Sequence, residues 1–323
     1  MSVLVVVEPD EGGDGLSVVS QETLTFARQL PGDGVSAVLV DAVGEPDDSV
    51  LTHCREHGVD ALYVTDDERL QRYAALAWAR VVGAAAEASG AAYLIAGGTA
   101  RGNEILAHAA AVLEAPMATN VVSIAQPEPL EVERQVAGGA VLERVALTGE
   151  PAIASVAGHA LAPEPAQAPG QARVERVTAE LADADRAAQV VRLEEREGGD
   201  TSALTGANVV VGAGRGVGGA EQFADVEALA ARLGGAVGVS RVVTSLGWRP
   251  HHEQVGQTGS RIAPDLYLAC GISGAIQHWA GCSSSKTIIA VNTDAEAPMV
   301  TKARYAVIGD MHEVIPAVLE ELG

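Results

Sequence analysis

Short apolar runs recur along the start of this chain: Val3 to Val7, Val35 to Val40, Ala61 to Val64 and Ala91 to Ala96. None of them alternates with polar residues. A strand with one wet face alternates, whereas a strand covered on both faces reads as a continuous apolar run. Helical stretches separate the runs, predicted at Ser20 to Leu30, Val50 to His57 and Arg69 to Ser89, with Asn103 to Leu113 after the fourth. Repeated strand–helix units of this length predict an α/β fold, a mostly parallel sheet flanked by helices.

The pattern changes between Val121 and Val156, where VVSIA, LEVERQVAGGAVLERVAL and AIASV read as an antiparallel extension of the same sheet. Ala162 to Gly170 carries three prolines, which excludes an ordinary helix or a central strand, so it is expected to be an exposed connection. Charged Ala182 to Gly198 suggests a boundary near residue 197. The α/β pattern then restarts, with strands at Asn208 to Val211, Ala236 to Val239, Leu266 to Cys270, Thr287 to Val291 and Ala303 to Ile308. Helices are predicted at Glu221 to Leu233, from Ala275 and at Met311 to Leu322. A length of 323 residues fits two domains at ~150 residues each, expected at 1–197 and 198–323.

Lys and Arg total 21 against 43 Asp and Glu, a net charge of −22. Phosphate backbones and anionic lipid surfaces both require clustered cations, so nucleic acid and charged membranes are disfavoured as partners. No window approaches the ~18 uninterrupted apolar residues of a membrane span, so direct membrane insertion is not expected. The short apolar run at the start has no basic segment before it and reads as a strand, not a secretory signal. Cys54, Cys270 and Cys282 lack the spacing of a metal site and read as buried small hydrophobes in a reducing, cytoplasmic setting.

Polar, glycine-rich segments follow the strand ends of the second domain. Gly212 to Gly219, GAGRGVGG, contains the spacing of a dinucleotide fingerprint at Gly214, Gly216 and Gly219. Glycine there would let the backbone approach a pyrophosphate, with Arg215 supplying positive charge. The acidic residue that NAD-binding versions place after the next strand is replaced by Ser240 and Arg241, which disfavours NAD and is compatible with NADP. His251, His252 and Glu253 are adjacent on a loop and would point in different directions, so a metal site is not expected. Gly256-Gln257-Thr258-Gly259 offers an amide and a hydroxyl to the edge of a planar ligand, or is simply a β-turn. Gly271 to His278, GISGAIQH, has the form of a strand end, a tight turn and a helix start. No Ser-His-Asp order or carboxylate pair suggests hydrolytic or acid–base chemistry.

Taken in order, GAGRG, VSR, QVGQTG, GISGAIQH, IAVN and GDM resemble the C-terminal domain of the electron-transfer flavoprotein alpha subunit. The likeness runs from about Leu204 onward, and TARGNEILAHAAAVLEAPMATNV resembles that family's N-terminal domain. The resemblance implies a Rossmann-like C-terminal domain with FAD extended across its strand ends. Carried over by motif, Arg215 contacts the cofactor from the first glycine turn, and Ser240 precedes Arg241, whose guanidinium lies over or beside the flavin ring. Val255, Gly256, Gln257 and Thr258 line the ring, with the Thr258 hydroxyl near N5. Ser273, Gly274, Ala275, Ile276, Gln277 and His278 wrap the ring edge and ribityl chain, and His278 is near O2. Asn292, Asp310 and Met311 hold the adenosine end.

By the same resemblance the chain is an electron carrier, not an enzyme with substrate chemistry of its own. It would form a heterodimer with a beta subunit, docked through the N-terminal domain. Electrons would come from flavoprotein dehydrogenases, such as the acyl-CoA dehydrogenases of fatty acid β-oxidation, and pass to a membrane quinone reductase. Alternatives are an electron-bifurcating variant with a second flavin in the beta subunit, and an NADP-dependent oxidoreductase using the glycine turn and Arg241. The chain departs from the family's usual residues at Ser245, where Asp is frequent, at Thr293, where Lys is common, and at Ala303 to Ala306, where DYG is usual. These positions flank the expected site. The acidic surface becomes a candidate for steering redox partners.

Overall fold

The computed structural model describes residues 2–10, 12–13, 15–139, 141–192 and 202–322. The chain divides into two compact units, one made of Met1–Val136 and Leu142–Leu193, the other of Ala137–Val141 and Glu194–Gly323. The join expected near residue 197 lies outside the described residues.

In chain order the first unit contains β1 (Ser2–Val7), α1 (Val18–Ala27), β2 (Val35–Leu39), α2 (Asp48–Glu56), β3 (Val59–Val64), α3 (Ala75–Ser89), β4 (Ala91–Gly97) and α4 (Ala100–Val112). They are followed by β5 (Met117–Gln126), β6 (Glu131–Val136), β7 (Val141–Ala146), β8 (Ala152–Val156) and β9 (Arg173–Arg176). These strands form one sheet in the order β7-β6-β5-β8-β4-β1-β2-β3-β9. Strand β1 shows why its sequence does not alternate. Val3, Val5 and Val7 face one buried cluster, and Leu4 and Val6 face another on the opposite side.

Two expectations change, and one strand was not anticipated. AIASV was expected in an antiparallel extension, but β8 lies between β4 and β5 and runs parallel to both. All five of its residues are buried, which demands an interior place in the sheet; the antiparallel pairing is between β5 and β6. The helix predicted from Arg69 to Ser89 is broken. Asp67 caps a single short turn at Glu68–Leu70, Ala74 is extended, and α3 starts only at Ala75. Strand β9, RVER, has no apolar run to announce it because all four residues are exposed at the sheet edge.

Thr99 links two elements of this unit. Its Oγ1 caps α4 by accepting from the Gly102 N–H at 2.8 Å, and its hydroxyl donates to the Glu8 carboxylate. Thr99→Ala is expected to lower stability by about 1 kcal/mol, the usual cost of a lost cap, read as a reduced urea midpoint at unchanged m-value.

The second unit contains α5 (Ser202–Thr205), β10 (Val209–Ala213), α6 (Ala224–Arg232), β11 (Ala236–Val239), α7 (Arg241–Ser245), β12 (Leu266–Cys270) and α8 (Ile276–Cys282). It ends with β13 (Thr287–Asn292), α9 (Pro298–Lys302), β14 (Tyr305–Ile308) and α10 (Met311–Leu322). Its sheet is parallel throughout, in the order β11-β10-β12-β13-β14. Phe223, Val226 and Leu229 by α6 and Ile315 from α10 cover one face, meeting Val211 and Ala213. Cys282 and Met299 cover the other face, meeting Val210, Tyr267 and Ala269. From β10 the chain steps to β11 on one side and then to β12 on the other. The strand order therefore reverses at β10 and β12, and in a doubly wound sheet the ligand crevice lies beyond the carboxyl ends of the strands at such a switch point.

Candidate functional site

Beyond those strand ends, two adjoining clefts cross the second unit. The wider, about 500 Å³, is lined by Arg215, Ser240, Ser273, Asn292, Asp310 and Met311 among others. The narrower, about 170 Å³, is lined by Arg241, Val255, Gly256, Gln257, Thr258, Gly274, Ala275, Gln277 and His278. Ser240, Val242, Ile272 and Ser273 border both, so the two clefts form one continuous groove. Of the residues that the resemblance assigns to the cofactor, only Ile276 lines neither cleft; it is 56% exposed.

The glycine turn after β10 works differently from the expectation. Its glycines admit another loop of the protein itself. The Gly214 N–H donates to the Cys270 carbonyl at 2.9 Å and that of Gly216 to the Gly271 carbonyl at 3.2 Å. A Cβ on Gly214 would overlap the Gly271 carbonyl, and one on Gly216 would sit 2.7 Å from the Gly271 Cα. The helix expected to open from this turn starts later, at Ala224, after two short turns at Arg215–Val217 and Ala220–Gln222. The fingerprint spacing is present without the strand–turn–helix geometry that gives it meaning.

The QVGQTG loop docks by its backbone. Val255 N–H donates to the Val239 carbonyl at 2.9 Å and Gln257 N–H to the Gln277 carbonyl at 2.7 Å. Gly256 has φ +143° and lies against the start of α8, where a Cβ would come within 2.9 Å of the Gln277 carbonyl. Gly259 N–H closes a turn on the Gly256 carbonyl at 3.1 Å. The β-turn reading and the ligand-facing reading are thus compatible, because the turn presents Gln257 and Thr258 to the narrow cleft.

Gln254, also lining the narrow cleft, was missed in the sequence. It is 2% exposed; its Oε1 accepts from the Thr244 hydroxyl at 2.7 Å and its Nε2 donates to Thr258 Oγ1 at 3.0 Å. Because Thr258 accepts here, its own hydroxyl proton remains to be donated elsewhere. The signal was the first letter of the same motif, a polar residue immediately before buried Val255. In the wider cleft, Asn292 Nδ2 donates to the Ile272 carbonyl at 3.0 Å, tying the β13 end to the loop after β12.

His278 is buried, and its Nε2 lies 2.8 Å from the Tyr267 hydroxyl. Burial lowers its pKa to about 4, with the Val255 backbone only partly opposing, so the imidazole is neutral near pH 7. Its Nδ1 is buried without a hydrogen bond of ordinary geometry, and so is the Ser240 Oγ. Buried polar atoms are rarely left this way, and at the wall of a cleft they are open to completion by a bound group. With the cations of Arg215 and Arg241 along the same groove, they suit a long ligand bearing a diphosphate and ring carbonyls, as FAD does.

The His251–Glu253 segment does not gather into a metal site among the described residues. His251, His252 and Glu253 form a single short turn, and both Glu253 oxygens bond Arg249 at 2.7 Å. Cys270 and Cys282 are buried, their thiols pushed up to about 12 by desolvation.

Residues 203–283 match the electron transfer flavoprotein FAD-binding domain, and residues 3–182 match the electron transfer flavoprotein domain. The electron transfer flavoprotein subunit alpha of Mycobacterium tuberculosis is 39% identical over 99% of this chain and 98% of its own length. That of Mycobacterium leprae is 38% identical over 97% of this chain and 95% of its own length. That of Bacillus subtilis is 32% identical, covering 99% and 96%. The chain belongs to the electron transfer flavoprotein family, among its alpha subunits, and its second unit carries the family's FAD-binding domain.

Proposed function

We propose that this chain is the FAD-carrying alpha subunit of a heterodimeric electron carrier, paired with a beta subunit. It accepts electrons from flavoprotein dehydrogenases, acyl-CoA dehydrogenases among them, and passes them to a membrane quinone reductase. The observation that carries this reading is the continuous groove across the strand ends, with the buried, unpartnered Ser240 Oγ and His278 Nδ1 along it. The match of this unit to an FAD-binding domain names the ligand. The family's placement of the adenosine end fits the wider cleft, by Asn292, Asp310 and Met311, and that of the flavin fits the narrower one.

When bound, FAD supplies a ring system that takes up electrons and releases them again. The protein sets how readily it does so. Arg241, the first residue of α7 and a wall of the narrow cleft, brings a fixed positive charge to a place where negative charge would develop. Neutral His278 offers a hydrogen bond at one edge. Gln254 holds Thr258 as an acceptor, which orients the hydroxyl proton toward the remaining free direction.

Co-expression with a beta subunit tests the reading: a yellow heterodimer that releases FAD on denaturation is expected. A colourless complex that cannot be reconstituted with FAD would overturn it, and so would direct reduction by NADPH with no dehydrogenase present. Arg241→Ala is expected to lower the one-electron flavin potential by about 60 mV, the equivalent of about 1.4 kcal/mol of lost charge stabilisation. Potentiometric photoreduction measures it, and an unchanged potential would remove Arg241 from the flavin environment.

A further inference from the structure

Tyr267 and His278 form a pair beneath the narrow cleft whose consequence goes beyond either residue alone. Tyr267, in β12, is fully buried. Among the described residues its hydroxyl is recorded with a single hydrogen-bond partner, His278 Nε2 at 2.8 Å. The two ring planes are inclined by 28° with centroids 6.1 Å apart. On the facing strand, Gly212 leaves the space that the phenol hydroxyl occupies, since a Cβ there would overlap it.

We propose that Tyr267 is a positioning residue that fixes the tautomer of His278, placing the imidazole proton on Nδ1 and making that nitrogen a hydrogen-bond donor to the cleft. A neutral imidazole has one donor nitrogen and one acceptor nitrogen, and the bond made by one decides the role of the other. The Tyr267–Nε2 contact can be filled in two ways. If the phenol donates, its proton and the Nε2 lone pair are both satisfied and only Nδ1–H is left to find an acceptor. If Nε2–H donates, the phenolic proton is left in the core without an acceptor, which is costly. Burial also holds the phenol in its protonated form, raising its pKa well above 10.0. The ring's single proton therefore sits on Nδ1, on the side away from Tyr267, where the Val255 backbone lies close but makes no hydrogen bond of ordinary geometry, so the proton is left for an acceptor in the cleft.

The ligand class follows from this. A donor nitrogen selects an acceptor, a carbonyl oxygen or an unprotonated ring nitrogen, and rejects a ligand edge that presents N–H. Naming the acceptor as the carbonyl edge of the flavin rests on the FAD reading above; the tautomer itself is a property of this chain alone.

The test uses ¹⁵N-histidine-labelled full chain with its beta subunit, studied with FAD bound and again after FAD removal. Long-range ¹⁵N–¹H correlations distinguish the two tautomers. His278 is expected to show the Nδ1–H pattern in both states, and Tyr267→Phe, which removes only the hydroxyl, is expected to move the majority to Nε2–H and weaken FAD binding about tenfold. An Nε2–H pattern in the parent protein overturns the proposal, whether or not the variant folds, and so does an unchanged Nδ1–H majority in a folded Tyr267→Phe. If the parent shows Nδ1–H yet takes up no FAD, the pair is supported and the cofactor reading falls.

Discussion

Gly214→Ala is expected to weaken FAD binding about 100-fold, although it adds one methyl group to a loop outside every helix and strand. The added Cβ would overlap the Gly271 carbonyl and lie 2.8 Å from the Ile272 Cα. Both obstacles are backbone, so no rotamer change relieves them. Gly271 cannot easily retreat, because its φ of +61° commits it to the left-handed region and its Cα already sits against Gly216. The loops after β10 and β12 must part, which strains the 2.9 Å bond from Gly214 N–H to the Cys270 carbonyl. Ile272, on the displaced loop, borders both clefts. Overpacking of this kind costs about 1–3 kcal/mol, and the upper end corresponds to the 100-fold loss. Quenching of FAD fluorescence on titration measures the affinity. Gly83→Ala is the control: it lies inside α3, and a Cβ there meets nothing within 4 Å. It should bind FAD like the parent and gain a few tenths of a kcal/mol or more in stability. Equal affinities for Gly214→Ala and the parent would show that the two loops are not rigidly crossed.

Acidification should destabilise the second unit through His278 well before the carboxylates are protonated. The folded protein holds this imidazole neutral to about pH 4, whereas the unfolded chain titrates it near 6.5. Between those values the unfolded state binds the proton that the folded state refuses. The contribution is therefore fully present above pH 6.5 and is lost as the pH falls toward 4. The whole shift amounts to ~3 kcal/mol, of which about 2 kcal/mol disappears between pH 7 and pH 5. Two groups of the first unit titrate alongside. Burial also lowers His57, which adds to the acid loss, while Asp41 is raised by burial against the pull of Arg101 and opposes it. The diagnostic is thus a difference. Urea unfolding at both pH values should show a drop about 2 kcal/mol smaller in His278→Asn than in the parent. Identical drops would mean that the imidazole is hydrated or already paired in the folded state.

The strands were the most legible part of this protein, and β1 shows why. Five consecutive apolar residues can be buried together only if both faces of the strand are covered, and Val3 to Val7 divide between two core clusters accordingly. Strand β8 carried the same signal, but the neighbouring charged strands obscured it; AIASV is as buried as β1, and that composition belongs inside the sheet. The break before α3 was hidden because Asp67 and the extended Ala74 interrupt a stretch whose composition is otherwise helical. In the groove, motif letters located the loops, since long polar and glycine-rich strings rarely follow buried strands by chance. They did not disclose how those loops hold one another. The spacing of Gly214, Gly216 and Gly219 suggested a phosphate turn, while the first two make room for the turn at Gly271. Gln254 was passed over because its role depends on Thr244, ten residues earlier, and on Thr258.

The sequence by itself determined the α/β class, the order of most elements and the loops that follow the carboxyl ends of the second sheet's strands. These follow from local burial periodicity and from residue types whose backbone preferences act within a few positions. Tertiary structure alone decided which backbones cross, which polar atoms are left buried without partners, and which nitrogen of His278 faces Tyr267. Those outcomes depend on distances between residues far apart in the chain, where a shift of about an ångström makes or breaks a hydrogen bond or a packing contact.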